Sequence, residues 1–133
     1  MAEKFQYLSP EWRDEAERRL KAELSPERMN HTTSSMSNIY LNCPEGKKRF
    51  LFFKFDNGEL SELLVGDAEP PEAEFRITGD YDVFARITRC ELGSQKALMT
   101  RKLKLKGNMI KALKLASVAD RLNKVLSGIP TEF

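Results

Sequence analysis

The spacing of apolar residues changes character several times along the chain, and each change marks an element. Trp12, Ala16, Leu20 and Leu24 recur every fourth residue, the period of a helix docking one narrow stripe. Ser9-Pro10-Glu11 supplies its start: a capping hydroxyl, a proline whose missing N–H is not needed there, and an acid at the positive end of the dipole. The spacing predicts a helix over about residues 9–25. Ser25-Pro26-Glu27 repeats the signal, as a second short helix or the end of the first.

Period two takes over next. Residues 39–43 (IYLNC) have strand character, and residues 49–55 alternate Leu51, Phe53 and Phe55 against Phe50, Phe52 and Lys54. Asp56-Asn57-Gly58 is a hairpin turn, because Asn and Gly tolerate the positive φ it requires. Residues 60–65 return as a third strand. Pro70-Pro71 then excludes a ladder, so residues 66–72 read as a crossover. Residues 74–78 (EFRIT) form a fourth strand, and Gly79-Asp80 opens a helix with Asp80 as cap and Val83, Phe84 and Ile87 as its apolar face. Ser94 is placed to cap a short helix carrying Ala97, Leu98 and Met99. Lysine and leucine alternate from Lys102 to Lys106, so Leu103 and Leu105 point inward and the lysines to water.

Asn108 caps the final helix, which carries two stripes. Met109, Ile110, Leu113 and Ala116 fall on one side; Leu115, Val118, Leu122, Val125, Leu126 and Ile129 fall roughly opposite. Either the helix breaks near residues 116–120, with Asp120 starting a new turn, or its second half faces another partner. Gly128 and Pro130 stop it. Residues 29–37, with the polar NHTTSS, read as a variable linker.

Composition sets the scale. A chain of 133 residues that is 41% hydrophobic supports one domain with one core. The net charge of +2 does not make a general polyanion binder, although residues 94–124 hold nine basic residues against the acid Asp120 alone. There is no apolar run after a basic start, and the longest apolar stretch, residues 50–53, is too short to cross a bilayer. The expected protein is soluble and cytoplasmic. Cys43 and Cys90 form no CxxC pair and are expected as buried, reduced thiols.

Catalytic motifs are missing: no GxSxG, HExxH, P-loop, GxGxxG or calcium loop occurs. His31, the one histidine, lies in a polar segment. Asp80 and Asp82 imitate a carboxylate dyad, but helix capping explains them more simply. The reading is a protein without enzymatic activity, catalytic residues, metal or cofactor. The many large apolar groups fit either a plain packed core or a gap between sheet and helices that an apolar ligand fills.

In order along the chain, Tyr7-Leu8-Ser9-Pro10-Glu11-Trp12, Gly79-Asp80-Tyr81-Asp82, Lys96-Ala97-Leu98-Met99, and the stretch from Lys102 through Gly107-Asn108-Met109 resemble the sterol carrier protein 2 family. The likeness runs from Leu8 to about Leu115. It implies an α+β fold: a five-stranded, mostly antiparallel sheet with helices packed on one face around an apolar tunnel for fatty acyl chains, sterols or other lipids. Carried onto this chain, the tunnel wall takes Phe84 and Ile87, then Ala97, Leu98 and Met99, then Leu103, Leu105, Met109 and Leu113. There are departures from the pattern. Cys90 stands where the family often ends a helix with glycine, Gly93-Ser94 replaces Asp-Pro, and Arg101 occupies a usually small position, which implies a narrower or charged mouth.

The partner implied is a lipid or other apolar small molecule. Lys102, Lys104 and Lys106 offer transient docking to an anionic membrane, although lysines on an edge strand also simply block pairing between molecules. Nucleic acid is not expected, since no aromatic side chains interleave these lysines for base stacking. The alternative to a carrier is an accessory domain presenting a lipid-like intermediate to an enzyme, or a homodimer formed through Val118, Leu122, Val125 and Ile129.

Overall fold

Ser9 caps the first helix as its sequence requires: its Oγ accepts the Trp12 backbone N–H at 3.1 Å. The computed structural model describes residues 4–133. The helix, α1 (Pro10–Glu23), buries Trp12, Ala16 and Leu20, the stripe of every fourth residue. It is preceded by a two-residue strand, β1 (Phe5–Gln6). Ser25-Pro26-Glu27 builds no second helix. The chain turns over residues 26–31, with Asn30 and His31 at φ near +50° and Met29 driven into the core.

The next strand, β2 (Ser34–Leu41), starts five residues before the alternation at Ile39 and takes in much of the expected linker. The polar residues there serve the sheet's outer side. Ser37 Oγ donates to the Pro71 carbonyl at 2.8 Å, and Ser35 Oγ accepts the Glu74 N–H at 2.9 Å. β3 (Arg49–Asp56) and β4 (Glu59–Gly66) form the expected hairpin. Asn57 and Gly58 both have positive φ, and a Cβ on Gly58 would lie 2.7 Å from Pro26 backbone atoms, so glycine is needed for shape and for space.

β5 (Phe75–Asp80) leads into α2 (Tyr81–Thr88); α3 (Ser94–Met99), β6 (Leu103–Lys106), α4 (Met109–Ser127) and β7 (Thr131–Glu132) follow. The five-stranded sheet has the order β4-β3-β2-β5-β6. β2 and β5 run parallel and the other three ladders antiparallel. This is the mostly antiparallel α+β arrangement that the family resemblance implies. Register places Met36, Asn38 and Tyr40 of β2 in line with Phe53, Leu51 and Arg49 of β3, and with Phe75, Ile77 and Gly79 of β5. That side faces the helices. On the opposite side Ile39, Phe50 and Phe52 are also buried, under the β4–β5 crossover that Ser37 fastens.

Several local expectations are corrected. Asp80 precedes α2 but makes no side-chain cap bond; its Oδ1 accepts from Asn42 Nδ2 at 2.8 Å. Gly93, not Ser94, is the cap residue of α3. Cys90 is exposed, and Cys43 alone of the two thiols is buried. After α2 the chain passes through Cys90 at φ 60°, where Cys90 N–H reaches Ile87 O and Glu91 N–H reaches Arg86 O. The helix therefore ends in the left-handed turn that glycine usually supplies.

α4 is unbroken. Asp120 starts no new turn; its Oδ1 accepts the Ser94 N–H at 3.1 Å. The helix buries Ala112, Ala116, Val118, Leu122 and Leu126, which at 100° per residue lie on one arc, while Met109 and Ile110 fall outside it and are exposed. The second stripe is therefore the buried face, which Ala112 and Ala116 extend, and the exposed Met109 and Ile110 produced the apparent first one. Val118, Leu122 and Ile129 belong to the chain's own core and offer no surface to a second copy, while Val125 packs partly buried against that core.

Unexpectedly, β1 pairs in parallel with β7, Phe5 opposite Thr131. Trp12 Nε1 donates to Thr131 Oγ1 at 3.1 Å, locking this pair onto α1.

Candidate functional site

Alanine on the buried face of α4 leaves space that a larger side chain would fill. Between that face and the inner side of the sheet lies a cavity of about 110 Å³. Its floor is β-sheet: Met36, Leu51, Phe53, Phe75, Ile77 and Leu103. α2 contributes Phe84 and Ile87, α3 contributes Leu98, and α4 closes it with Ala112, Ala116, Ala119 and Leu122. Gly79 sets the fit at the β5–β6 side, because a Cβ there would stand 2.5 Å from a Leu103 methyl and 3.3 Å from the Phe84 ring. At roughly 30 Å³ per water-sized group, the space holds three or four carbons.

Of the residues expected in a tunnel wall, Phe84, Ile87, Leu98 and Leu103 line the cavity. Ala97 is fully buried but packs in the core without reaching it. Leu105 and Leu113 are partly buried beside the core and also lie off the wall. Met99 and Met109 are 66% and 43% exposed. Met99 ends a helix of six residues whose buried side is spent on Ala97 and Leu98, and Met109 begins α4 outside its buried arc. The alternation of Leu51, Phe53 and Phe55 already signalled an inner wall on β3. Of the alanines the pattern picked out Ala116 alone, on the other stripe, because alanine carries little weight in any hydrophobic count.

The wall is mostly apolar, with Thr32, Ser34, Ser35, Asn38, Tyr40, Thr88, Ser94 and Asn123 as its polar residues. Among the described residues, none that lines the cavity carries a charge. Asn38 sits mid-strand on β2, 8% exposed, with Leu51 and Ile77 as its register partners. Its Oδ1 is buried without a hydrogen-bond partner, an arrangement that costs about 1–3 kcal/mol. Tyr40 and Thr88 also line the cavity, and both bond to Tyr7 behind them, each at 2.8 Å between hydroxyl oxygens. Three hydroxyl protons serve two bonds. When Tyr7 donates one of these bonds, the remaining proton falls on Tyr40 or Thr88, both at the cavity. Burial pushes Tyr7 up to about 12 and Tyr40 well above the usual phenol range, so these groups are neutral hydrogen-bond partners.

A second recess, between the end of α1 and the last turns of α4, is edged by Glu23, Arg28, Arg121 and Lys124 and opens to solvent. Among the described residues no group of His, Cys, Asp and Glu is placed to hold a metal ion, and no helix is long and apolar enough to cross a membrane. Lys102, Lys104 and Lys106 are exposed along β6, which is an edge strand.

The sequence matches the SCP-2 sterol transfer family over residues 14–120. Among solved structures, the fold is similar to the crystal structure of sterol carrier protein 2, at 22% identity and a TM-score of 0.79, covering 93% of this chain and 99% of that one. It is similar also to the solution structure of a conserved hypothetical protein from Thermus thermophilus, at 21% identity and a TM-score of 0.80, covering 98% and 94%. The solution structure of palmitated SCP2L2 from Aedes aegypti shares 16% identity at a TM-score of 0.53, covering 93% and 99%. No curated protein matches the chain.

Proposed function

The chain belongs to the SCP-2 sterol transfer family, and from that premise we propose that it is a non-catalytic carrier holding a fatty acyl, sterol or other apolar ligand between its sheet and α4. The observation that carries the reading is the uncharged cavity roofed by Ala112, Ala116 and Ala119. Each methylene moved from water into such a site contributes about 0.8 kcal/mol, so ten give roughly 8 kcal/mol before ordering costs, which corresponds to about micromolar affinity. A ligand of that length exceeds the three or four carbons the cavity holds. The wall therefore widens, and it does so on the α4 side, since inter-strand ladders on both sides of β2 and β5 hold the floor. In the widened form the cavity becomes a tunnel. The Aedes aegypti protein of the same fold is palmitated, which makes a fatty acyl chain a natural ligand to test here. Denaturing the purified protein, extracting it for lipid and titrating it with a fluorescent fatty acid checks the reading: bound lipid and a displaceable probe are expected, and the lack of both rejects it.

Exchange with a membrane fits the edge strand. Lys102, Lys104 and Lys106 each contribute about 1 kcal/mol near an anionic leaflet, and Met99, Met109 and Ile110, exposed at either end of β6, supply apolar contacts. Flotation with anionic and neutral vesicles tests this role, and equal binding to both removes the electrostatic part.

A further inference from the structure

Within the carrier reading, on which this inference rests, the wall also marks where a ligand passes. Most residues that line the cavity are buried, and the half-buried ones gather on two lips. Thr32, Ser34 and Met36, with Ser35 between them, form one lip at the start of β2. Leu115, Ala119 and Asn123 form the other; spaced by four, they share one side of α4. Ser94 alone stands apart, where Asp120 accepts its N–H.

α4 packs chiefly on α1, α2 and α3, and toward the β2 lip it is tied by two latches made from exposed side chains. Lys111 Nζ donates to Glu74 Oε2, and Glu74 Oε1 accepts from Ser34 Oγ at 2.7 Å, so the first latch ends on the lip itself. Arg121 Nη1 donates to the Arg28 carbonyl at 2.5 Å and to Asn30 Oδ1 at 3.3 Å, in the segment that leads to Thr32. At 100° per residue Lys111 and Arg121 fall within about 80° of each other, so both hold the same side of the helix. Exposed bonds of this kind add little to stability, which suits contacts that must break and re-form.

We propose that an apolar ligand enters and leaves between the start of β2 and the middle of α4, and that Lys111 with Glu74, and Arg121 with Arg28 and Asn30, latch this portal shut. A portal open for part of the time lowers the association rate and the apparent affinity by the open fraction. A long ligand widens the cavity on the α4 side, so the latches are broken in the bound form as well. Weakening a latch therefore speeds entry and tightens binding by the same factor, and leaves the dissociation rate unchanged.

The test is stopped-flow association of Nile red, a neutral dye, with the wild type, Lys111→Met, Arg121→Met and Lys124→Met. The last removes the same charge from α4 without touching either latch. Each latch variant is expected to associate about two- to fivefold faster, the range one exposed ion pair supplies, with a dissociation constant lower by the same factor. Lys124→Met should match the wild type. Raising sodium chloride from about 0.02 to about 0.5 M screens the Lys111–Glu74 pair, so it should speed the wild type and leave Lys111→Met where it was. Association in both latch variants at the wild-type rate overturns the proposal, and so does equal acceleration in Lys124→Met. Should a variant not fold, a wild type that salt does not accelerate overturns it alone. Dye that does not bind, together with an empty lipid extraction, brings down the carrier reading and this proposal with it. Bound dye whose rates none of the variants moves leaves the carrier reading standing and removes only the portal.

Discussion

Replacing Ala116 with leucine puts side chain where a ligand would go. Ala116 lies on the buried face of α4, 4% exposed, and lines the cavity. Leucine adds three carbons, and the space of about 110 Å³ takes three or four at roughly 30 Å³ each. Three carbons buried at about 0.8 kcal/mol each stabilise the fold by roughly 2.4 kcal/mol; in a filled core the same change costs about 1–3 kcal/mol through overpacking. The sign of the effect therefore reports the void. For a chain of this size each kcal/mol moves the melting temperature by about 3–5 °C, so scanning calorimetry should show a rise of roughly 7–12 °C. Affinity for decan-1-ol, read by dye displacement, should drop about fifty-fold, the same free energy withdrawn from the ligand. Ala22→Leu, at an exposed site on α1, is the control and should stay within about 0.5 kcal/mol. A lower melting temperature in Ala116→Leu refutes the void. A higher one with unaltered binding places the ligand elsewhere.

Cys90→Gly should raise stability by about 1 kcal/mol in a denaturant titration, because Cys90 holds a left-handed φ of 60° that glycine adopts without penalty; a loss of stability contradicts that reading. Leu122→Glu should lower stability by more than about 3 kcal/mol rather than alter assembly, since Leu122 is 3% exposed in the chain's own core and would bury an unpaired carboxylate. A wild-type melting curve for that variant would restore the stripe as a surface. The Tyr7 phenol is raised from 10 to about 12 by burial. Its contribution is fully present below pH 10 and disappears as pH climbs toward 12, about 3 kcal/mol in all. Denaturant midpoints from pH 8 to 12 should fall across that window, and less steeply in Tyr7→Phe; parallel curves count against it.

The parts of the fold that could be read from sequence are those whose signals are local. Asn57-Gly58 specified its hairpin, Asn108 its helix start and Pro70-Pro71 its crossover, each through backbone geometry at one or two residues. Lys102 to Lys106 gave its strand because one side is wet. Legibility failed where burial depends on a distant partner. Ser34 to Ser37 look like a linker until the crossover arrives to bond Ser35 and Ser37. The β1–β7 pair joins two residues from each end of the chain, too few for any period. The site fared in the same way: of the residues the family resemblance placed in the wall, Phe84, Ile87, Leu98 and Leu103 reach the cavity, whereas Met99 and Met109, equally apolar, sit at helix ends and are exposed. Ala112 and Ala116 mattered through what they lack, and Asn38 through a bond it does not make. A pattern of hydrophobic positions registers neither a missing volume nor a missing bond.

β3 is covered on both sides, by the helices beneath and by the crossover above, and its run Phe50-Leu51-Phe52-Phe53 is the result. Such a segment is harmless in the middle of a finished sheet and adhesive outside one, being β-prone, uncharged over four residues and free of proline. Arg49 and Lys54 bracket it and repel like neighbours while the chain is still open. The molecule's shelf life should accordingly be governed by how seldom its crossover lifts, and unfolded material should precipitate through this stretch before it can return.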